Sequence, residues 1–283
     1  MILILNASGN IGSELVKELI KRGADFTAAY RSPEQVAKAQ QSGQKAVVAD
    51  FAKPETLVAA FEGVKKAFFV TPPGLQLEEL ESSVVAAAKN ADVRHLVKLS
   101  VWGAEEAAIS FAIPHHNVEK KIIAANIPYT FLRPTGFMQN MLSNAATIKS
   151  QSAFYIPAGD ARVAEIDVRD IARVAAVVLT EEGHIGKAYD LSGGEASTMQ
   201  ERAQIISDVL GRTISYFSPS AADWKKTMLG YGLPEWQVDG IIELLGYYNG
   251  GNSQRVSPAV EDITGSKPIT YRQFVEDNVE AFR

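Results

Sequence analysis

The sequence predicts a Rossmann-type α/β fold: a doubly wound parallel sheet with a smaller C-terminal α/β substrate region. The first half of the chain alternates short apolar runs with segments of helical period. That pattern is typical of a parallel sheet covered by helices on both faces. A turn rich in small residues, Asn6 to Gly12, separates the first apolar run from the first helix. Together these observations predict a dinucleotide-binding domain over residues 1–150.

The elements of this domain follow one another regularly. The predicted strands are residues 2–5, 26–30, 46–49, 67–70, 95–99 and 129–132. The predicted helices are residues 11–22, 33–41, 54–61, 77–90 and 115–125. The strands are short and nearly continuously apolar, as strands buried on both faces are.

Beyond Ser150 the alternation is looser, and residues 151–283 are predicted to form a substrate region that partly interleaves with the sheet. The predicted strands are residues 162–166, 188–191 and 213–217, and the predicted helices are 168–180 and 198–210. Residues 218–252 combine helix-forming residues with aromatic ones. This segment is either a mobile lid or pocket wall, or an ordinary α/β cap with surface turns.

Composition narrows the chemistry. The chain has 283 residues, no cysteine and a formal net charge of -5. The lack of cysteine excludes a disulfide framework and a thiolate site, and four scattered histidines do not form a metal site. The acidic balance argues against nucleic acid as a partner. No apolar run approaches the roughly 18 residues of a membrane span, and the N-terminus lacks a signal-peptide pattern, so we expect a cytoplasmic protein without a membrane partner.

The turn after the first strand is a candidate pyrophosphate site. Small residues let the backbone approach the phosphates, and amides at the helix N-terminus hold their charge. Such turns usually open on glycine, but asparagine tolerates a positive φ well enough to keep the turn. The alternative is a tight turn that binds nothing. The candidate cofactor-binding residues here are Asn6, Ser8, Gly9, Asn10 and Ile11.

Residues after the next three strands extend this candidate site. Arg31 stands where an acidic residue would bind the ribose of NAD, and an arginine can instead pair with the extra phosphate of NADP. NADPH is therefore favoured over NADH, unless Arg31 is only a solvated surface charge. Asp50 is expected near the adenine, or simply near the start of the next helix. At the end of the fourth strand, the nicotinamide half would face Thr71, Pro72 and Pro73.

Taken together, these segments resemble the NmrA-like group of atypical short-chain dehydrogenases/reductases, which includes NADPH-dependent quinone reductases and triphenylmethane dye reductases. The resemblance covers most of the chain through about Phe217 and implies one dinucleotide per chain, with reductase or redox-sensing activity. It is carried by Asn6 to Gly12, Tyr30-Arg31, Val48 to Phe51, Ile127 to Arg133, Leu179 to His184 and Lys187 to Tyr189.

The usual catalytic pair of the wider superfamily is missing. Its members protonate a carbonyl with a Tyr, helped by a Lys four residues later, and here Phe111 and His115 stand at those positions. Ketone reduction through a basic alkoxide is therefore disfavoured, whereas quinones, conjugated enones and cationic dyes give delocalised or neutral adducts. His115, with an ordinary pKa near neutrality, is a candidate to orient the acceptor or supply a proton. His116 competes for this role, and both histidines could merely open a helix after Pro114.

The remaining candidates follow the fifth and sixth strands. Ser100 matches the superfamily's active-site serine, or else caps a loop. Pro134 and Phe137 belong to the segment that lines the nicotinamide pocket in the family. Trp102, Phe137 and Met138 would give a flat, apolar wall for an aromatic acceptor, although such residues are commonly core.

The sequence thus predicts an NAD(P)H-dependent oxidoreductase that transfers hydride from NADPH to a quinone-like or conjugated aromatic acceptor. The alternative is an NADP(H)-binding redox sensor without turnover. The expected partner is a small aromatic molecule, and the expected assembly is a monomer or homodimer.

Overall fold

The computed structural model describes residues 1–283 and has the predicted α/β Rossmann-like fold. The strands are β1 (Ile2–Ile4), β2 (Phe26–Tyr30), β3 (Ala46–Val48), β4 (Lys66–Phe69), β5 (His95–Leu99), β6 (Tyr129–Pro134), β7 (Ala153–Tyr155), β8 (Lys187–Leu191) and β9 (Ser215–Phe217). Seven strands form one sheet in the order β3-β2-β1-β4-β5-β6-β8. Neighbours from β3 through β6 are parallel, and the strand order reverses between β1 and β4, where such sheets bind nucleotides.

Helices connect these strands. They are α1 (Asn10–Lys21), α2 (Pro33–Gln41), α3 (Pro54–Ala60), α4 (Leu77–Asn90), α5 (Ala112–Ala124), α6 (Ala145–Gln151), α7 (Val168–Thr180), α8 (Met199–Leu210), α9 (Ala221–Gly230), α10 (Glu235–Asn249), α11 (Ala259–Thr264), α12 (Tyr271–Asp277) and α13 (Val279–Phe282), with a 3-10 helix at Met138–Asn144. No helix among them combines the length and apolar character that crossing a membrane requires.

Local sequence explains where several helices begin. At α2 the Ser32 side chain accepts from the backbone N–H of Gln35, and the Gln35 side chain accepts from that of Ser32. Thr198 and Glu201 make the same reciprocal pair at α8, which ends at Gly211 in the left-handed conformation. These capping boxes satisfy amides that have no partner inside the helix.

The chain divides into two compact units. The first comprises Met1–Ala108, Ala112–Pro134 and Val168–Asp190. Within this unit α7 packs against α1 and against β4, β5 and β6, and most of its residues are buried. A second group of apolar side chains fills the space between the sheet and α3, α4 and α5, including Leu57, Phe61, Phe69, Val84 and Phe131.

The second unit comprises Ile109–Phe111, Thr135–Asp167 and Leu191–Arg283. In it β7 and β9 form a small parallel sheet, and α12 packs against α8. Its core includes Met138, Phe154, Ile206, Leu245 and Phe274. The predicted boundary at residue 150, with an interleaved second region, stays a prediction.

Two predicted segments of the second half, residues 162–166 and 218–252, have defined structures. The strand predicted at 162–166 is wrong, because Val163 and Ile166 make only isolated bridges, with Ser197 and Phe137. Residues 163–166 are all buried, because the segment packs inside the second unit without joining a ladder of strands. Residues 218–252 contain α9 and α10.

Candidate functional site

The turn between β1 and α1 is held by Asn6. This residue has a φ of 57°, which confirms the expected positive φ. Its side-chain Nδ2 donates to the Val70 carbonyl at 3.3 Å, and its own carbonyl accepts from the Gly9 amide at 3.0 Å. Asparagine thus replaces the usual glycine and adds a hydrogen bond to the backbone just past β4.

Two glycines make this turn a close backbone cradle. A Cβ on Gly12 would lie 2.2 Å from the Asn6 carbonyl oxygen, so no other residue fits without moving the backbone. Gly9 precedes α1 in an extended conformation, and no side chain caps the helix or places a negative charge in its first turn. The amides at the positive end of α1 are therefore available to an anion, which fits the pyrophosphate of a dinucleotide.

Arg31 and Asp50 meet beside this cradle. The Arg31 side chain is 84% exposed, and its Nε lies 4.0 Å from Asp50 Oδ2. Gln35, from the capping box next to Arg31, donates to the Ser8 hydroxyl at 3.4 Å. Asp50 Oδ1 accepts from the Ala52 amide at 3.1 Å and so also orders the segment before α3. The structure brings the predicted residues Ser8, Arg31 and Asp50 to the same ends of β1, β2 and β3.

A buried hydroxyl group lacks a partner at the end of β5. Ser100 Oγ is buried and makes no hydrogen bond. Thr71, after the neighbouring strand β4, is also buried and lies beside the Glu81 carboxyl, whose pKa it helps to lower. Pro72 and Pro73 follow Thr71 and are exposed. Because an unpaired buried hydroxyl costs free energy, Ser100 fits a site that a bound molecule completes.

Sequence reasoning missed a buried chain of side chains next to these strand ends. Lys98 of β5 and Glu81 of α4 are both fully buried, with 2.5 Å between Lys98 Nζ and Glu81 Oε2. Lys98 Nζ also lies 3.0 Å from His115 Nδ1 of α5. The available signal was a lysine inside an otherwise apolar strand, because lysine is almost never buried without a partner.

Burial and the contact with Lys98 lower the basicity of His115. Burial of the ring, and then the positive charge of Lys98, hold the pKa of His115 well below its ordinary 6.5. The ring of His115 is therefore neutral at physiological pH and can act as a hydrogen-bond donor. Burial raises the pKa of Glu81, and Lys98 opposes that rise.

The other predicted residues of the first unit have structural contacts. His116 Nδ1 lies 2.9 Å from the Ala104 carbonyl, so its ring anchors the loop after β5. In that loop the Trp102 amide donates to the carbonyl of Pro134 at 2.8 Å. His116 and Trp102 are both partly buried, whereas Pro134 is buried.

Phe111, Phe137 and Met138 lie in the second unit. A Cβ on Gly240 would lie 2.5 Å from the Phe111 ring, so this ring packs directly on α10. Phe137 is partly buried, and Met138 is 4% exposed and belongs to the core. Met138 also lines a cavity of about 490 Å³ within this unit, together with Glu165, Arg202 and Tyr271.

Known proteins resemble this chain over its whole length. A family profile described as the NmrA-like family matches residues 1–271. NAD(P)H azoreductase of Xenophilus azovorans is 31% identical over 283 residues, which is 100% of this chain and 99% of the relative.

Two solved structures are also similar. The NADPH-dependent quinone oxidoreductase of Escherichia coli, complexed with NADPH, matches with a TM-score of 0.91 at 26% identity, covering 99% of this chain and 100% of that chain. Triphenylmethane reductase of Citrobacter sp., complexed with NADP(H), matches with a TM-score of 0.89 at 29% identity, covering 98% of this chain and 99% of that chain.

Proposed function

This chain belongs to the NmrA-like family, and from that premise we propose that it is a reductase that uses NADPH to reduce a quinone-like or conjugated aromatic acceptor. The observation that carries the proposal is the cradle between β1 and α1. There the backbone at Gly12 leaves no room for a Cβ, and the first amides of α1 have no side-chain cap. Similarity over the full length to an NAD(P)H-dependent reductase supports the same function.

Each part of the cofactor is assigned to residues by their positions at the ends of the strands. The cradle would hold the pyrophosphate, Arg31 the additional phosphate of NADPH, and Asp50 the adenosine. When bound, NADPH supplies the hydride. The exposed Arg31 guanidinium favours NADPH over NADH, because it can form charge-assisted hydrogen bonds with that phosphate. The cradle residues are Asn6, Ser8, Gly9, Asn10 and Ile11, and the proposed nicotinamide-facing residues are Thr71, Pro72, Pro73, Pro134 and Phe137.

The proposed class of acceptor follows from the absence of a strong acid among the assigned site residues. Phe111 has no hydroxyl, and His115 is neutral, so no strong acid stands ready for an alkoxide. Conjugated acceptors give stabilised products and need mainly a hydrogen-bond donor and an apolar wall. We assign His115 and Ser100 to the reacting centre, and His116, Trp102 and Met138 to the acceptor side.

Cofactor titration followed by an acceptor panel tests this function. Fluorescence titration should show tighter binding of NADPH than of NADH. Loss of the reduced-nicotinamide absorbance should then depend on a quinone, an azo dye or a triphenylmethane dye, while a simple aliphatic ketone stays unreduced. Tight NADPH binding without acceptor-dependent oxidation would overturn the reductase and support a redox sensor.

Assembly and location belong to the same proposal. We propose a monomer or homodimer in the cytoplasm, acting on a small aromatic molecule. Light scattering at several protein concentrations distinguishes the two assembly states. A larger particle would contradict both.

A further inference from the structure

Lys98 uses all of its hydrogen-bonding capacity inside the protein. A charged ammonium group has three N–H donors and no acceptor. Three acceptors surround Lys98 Nζ: Glu81 Oε2 at 2.5 Å, His115 Nδ1 at 3.0 Å and the Leu99 carbonyl at 3.1 Å. The side chains of Lys98 and Glu81 are both fully buried, so their opposite charges compensate each other away from water.

This arrangement determines the tautomer of His115. Because Lys98 donates to Nδ1, a neutral His115 must carry its proton on Nε2. Nε2 is the ring nitrogen that this contact leaves over, and His115 keeps part of its surface exposed although burial of the ring lowers its pKa. The ring therefore has one nitrogen fixed toward the interior and one N–H donor left for another molecule.

We propose that Lys98, held in place by Glu81, is a positioning residue that fixes His115 as the Nε2–H tautomer, so that this N–H donates a hydrogen bond to the acceptor. The inference rests on the proposed reductase function and makes its substrate class more specific. A neutral imidazole polarises a group that can accept a hydrogen bond, such as a quinone carbonyl or an azo nitrogen. A triphenylmethane cation is reduced at carbon, and its reacting carbon accepts no such bond.

The charged groups around His115 agree with this role. Lys98 of β5 faces its ring, with Glu81 of α4 behind. Glu119, one turn later on α5, is held by Arg133 of β6, with 2.6 Å between Glu119 Oε2 and Arg133 Nη2. The ring of the neighbouring His116 contacts the Ala104 carbonyl. Lys98 is thus the charged group in direct contact with His115.

Nitrogen-15 NMR of the histidine rings tests the tautomer without any turnover. In the wild-type protein between pH 6 and 8, His115 should show an unprotonated Nδ1 and a protonated Nε2. His95 provides an internal control, because its Nε2 lies 2.8 Å from the Thr130 hydroxyl and does not depend on Lys98. A proton on Nδ1 of His115 in the wild type would overturn the inference.

Two substitutions should move the His115 pKa differently. Lys98→Met removes a positive charge and the Nδ1 donor, so His115 should become a mixture of tautomers and its pKa should rise. Glu81→Gln leaves Lys98 in contact and should produce no such rise. Lys98→Met leaves the buried Glu81 carboxyl without its partner. The double variant Lys98→Met/Glu81→Leu therefore repeats the test with both charges removed. An unchanged His115 tautomer in both the single and the double variant would contradict the role of Lys98.

Kinetics supply the second readout. We expect the ratio of kcat for a quinone to kcat for a triphenylmethane dye to fall by about tenfold or more in Lys98→Met, since misplacing a catalytic group can cost up to about a hundredfold. Lys120→Met is the matched control, because Lys120 is exposed on α5, the helix that carries His115, and it should keep the ratio. Equal losses for both acceptors would indicate a structural role. If neither acceptor is reduced by the wild type, the proposed function fails, while the NMR result still decides the positioning of His115.

Discussion

Arg31 is the residue on which cofactor preference depends. Its exposed guanidinium lies 4.0 Å from Asp50, close enough for the carboxylate to orient it but too far for a tight ion pair. We expect Arg31→Ala to raise the Kd of NADPH by about tenfold while changing the Kd of NADH little, because one charge-assisted contact is lost at an exposed site. Fluorescence titration with both cofactors measures the difference.

The matched control is Lys38→Ala, which removes an exposed cation from the last turn of α2. It should weaken the binding of NADPH and of NADH only slightly and by equal factors. An equal loss of both cofactors in Arg31→Ala would show that Arg31 does not distinguish them.

His95 makes the stability of the fold depend on pH. Burial, followed by the charge of Lys66, lowers the pKa of His95 from 6.5 to about 4. The unfolded chain therefore binds a proton at a higher pH than the folded one, and stability is lost as the pH falls from 6.5 toward 4. The contribution of this residue is up to about 3 kcal/mol. Urea unfolding of wild type and His95→Gln at several pH values measures it.

The glutamine variant can still donate to Thr130, but it cannot titrate. Its free energy of unfolding should therefore fall less steeply than that of the wild type below pH 6.5. Above pH 7 the two curves should run parallel. Identical acid slopes would mean that His95 is not the titrating group.

At the scale of elements, the first turn of α1 depends on the missing side chain of Gly12. A methyl group there would lie 2.2 Å from a backbone oxygen that cannot move without opening the turn. We expect Gly12→Ala to abolish NADPH binding and to destabilise the protein by about 3 kcal/mol, at the upper end of the cost of overpacking. Gly74→Ala, where nothing lies within 4 Å, is the control and should retain both properties. Calorimetric titration and urea unfolding distinguish the two variants.

Helix α10 contains two glycines with opposite expectations. Gly246 is exposed with open space around it, so Gly246→Ala should stabilise the protein by about 0.5–1 kcal/mol through helix propensity. At Gly240 a Cβ would lie 2.5 Å from the Phe111 ring, so Gly240→Ala should destabilise it by about 1–3 kcal/mol. Thermal unfolding of both variants provides the comparison, and a shift in the same direction would contradict the packing of Phe111.

Elements with a strong period and clear ends were predictable from the sequence. The bounds of β2, α2, α4 and β5 agree with prediction to the residue. At α2 the agreement has a local cause, because Ser32 caps the helix. Strand β7 was missed because three residues show no period. The strand predicted at 162–166 is wrong because these residues are buried without pairing in a ladder, and pairing partners cannot be identified from the sequence.

The candidate site divides in the same way. The glycine turn is a local feature, since its residues are neighbours in sequence as well as in space, and it could be identified from the sequence. The hydrogen-bonded side chains of Glu81, Lys98 and His115 come from α4, β5 and α5. No spacing along the sequence reveals that these three side chains meet. Only the lysine within an apolar strand hinted at a buried partner.

In the whole molecule, segments that are neighbours in sequence belong to different compact units. Residues 168–190 belong to the first unit although they follow segments of the second. The sequence predicts that the second region partly interleaves with the sheet, but it does not identify α7 as a segment that returns, because α7 is an apolar helix that would suit either core. The predicted boundary at 150 therefore separates α7 from the sheet it covers.

That separation can be tested with fragments. A fragment of residues 1–150 lacks α7 and would expose the faces of α1, β4, β5 and β6 that α7 covers. We expect it to be unfolded by circular dichroism and unable to bind NADPH. A fragment of residues 1–190 contains the whole first unit and should fold and bind. A fragment of residues 1–166 controls for length, because it is longer than residues 1–150 but still lacks α7. We expect it also to be unfolded and unable to bind NADPH. If residues 1–150 bind NADPH as well as residues 1–190 do, α7 is dispensable and the boundary at 150 is supported.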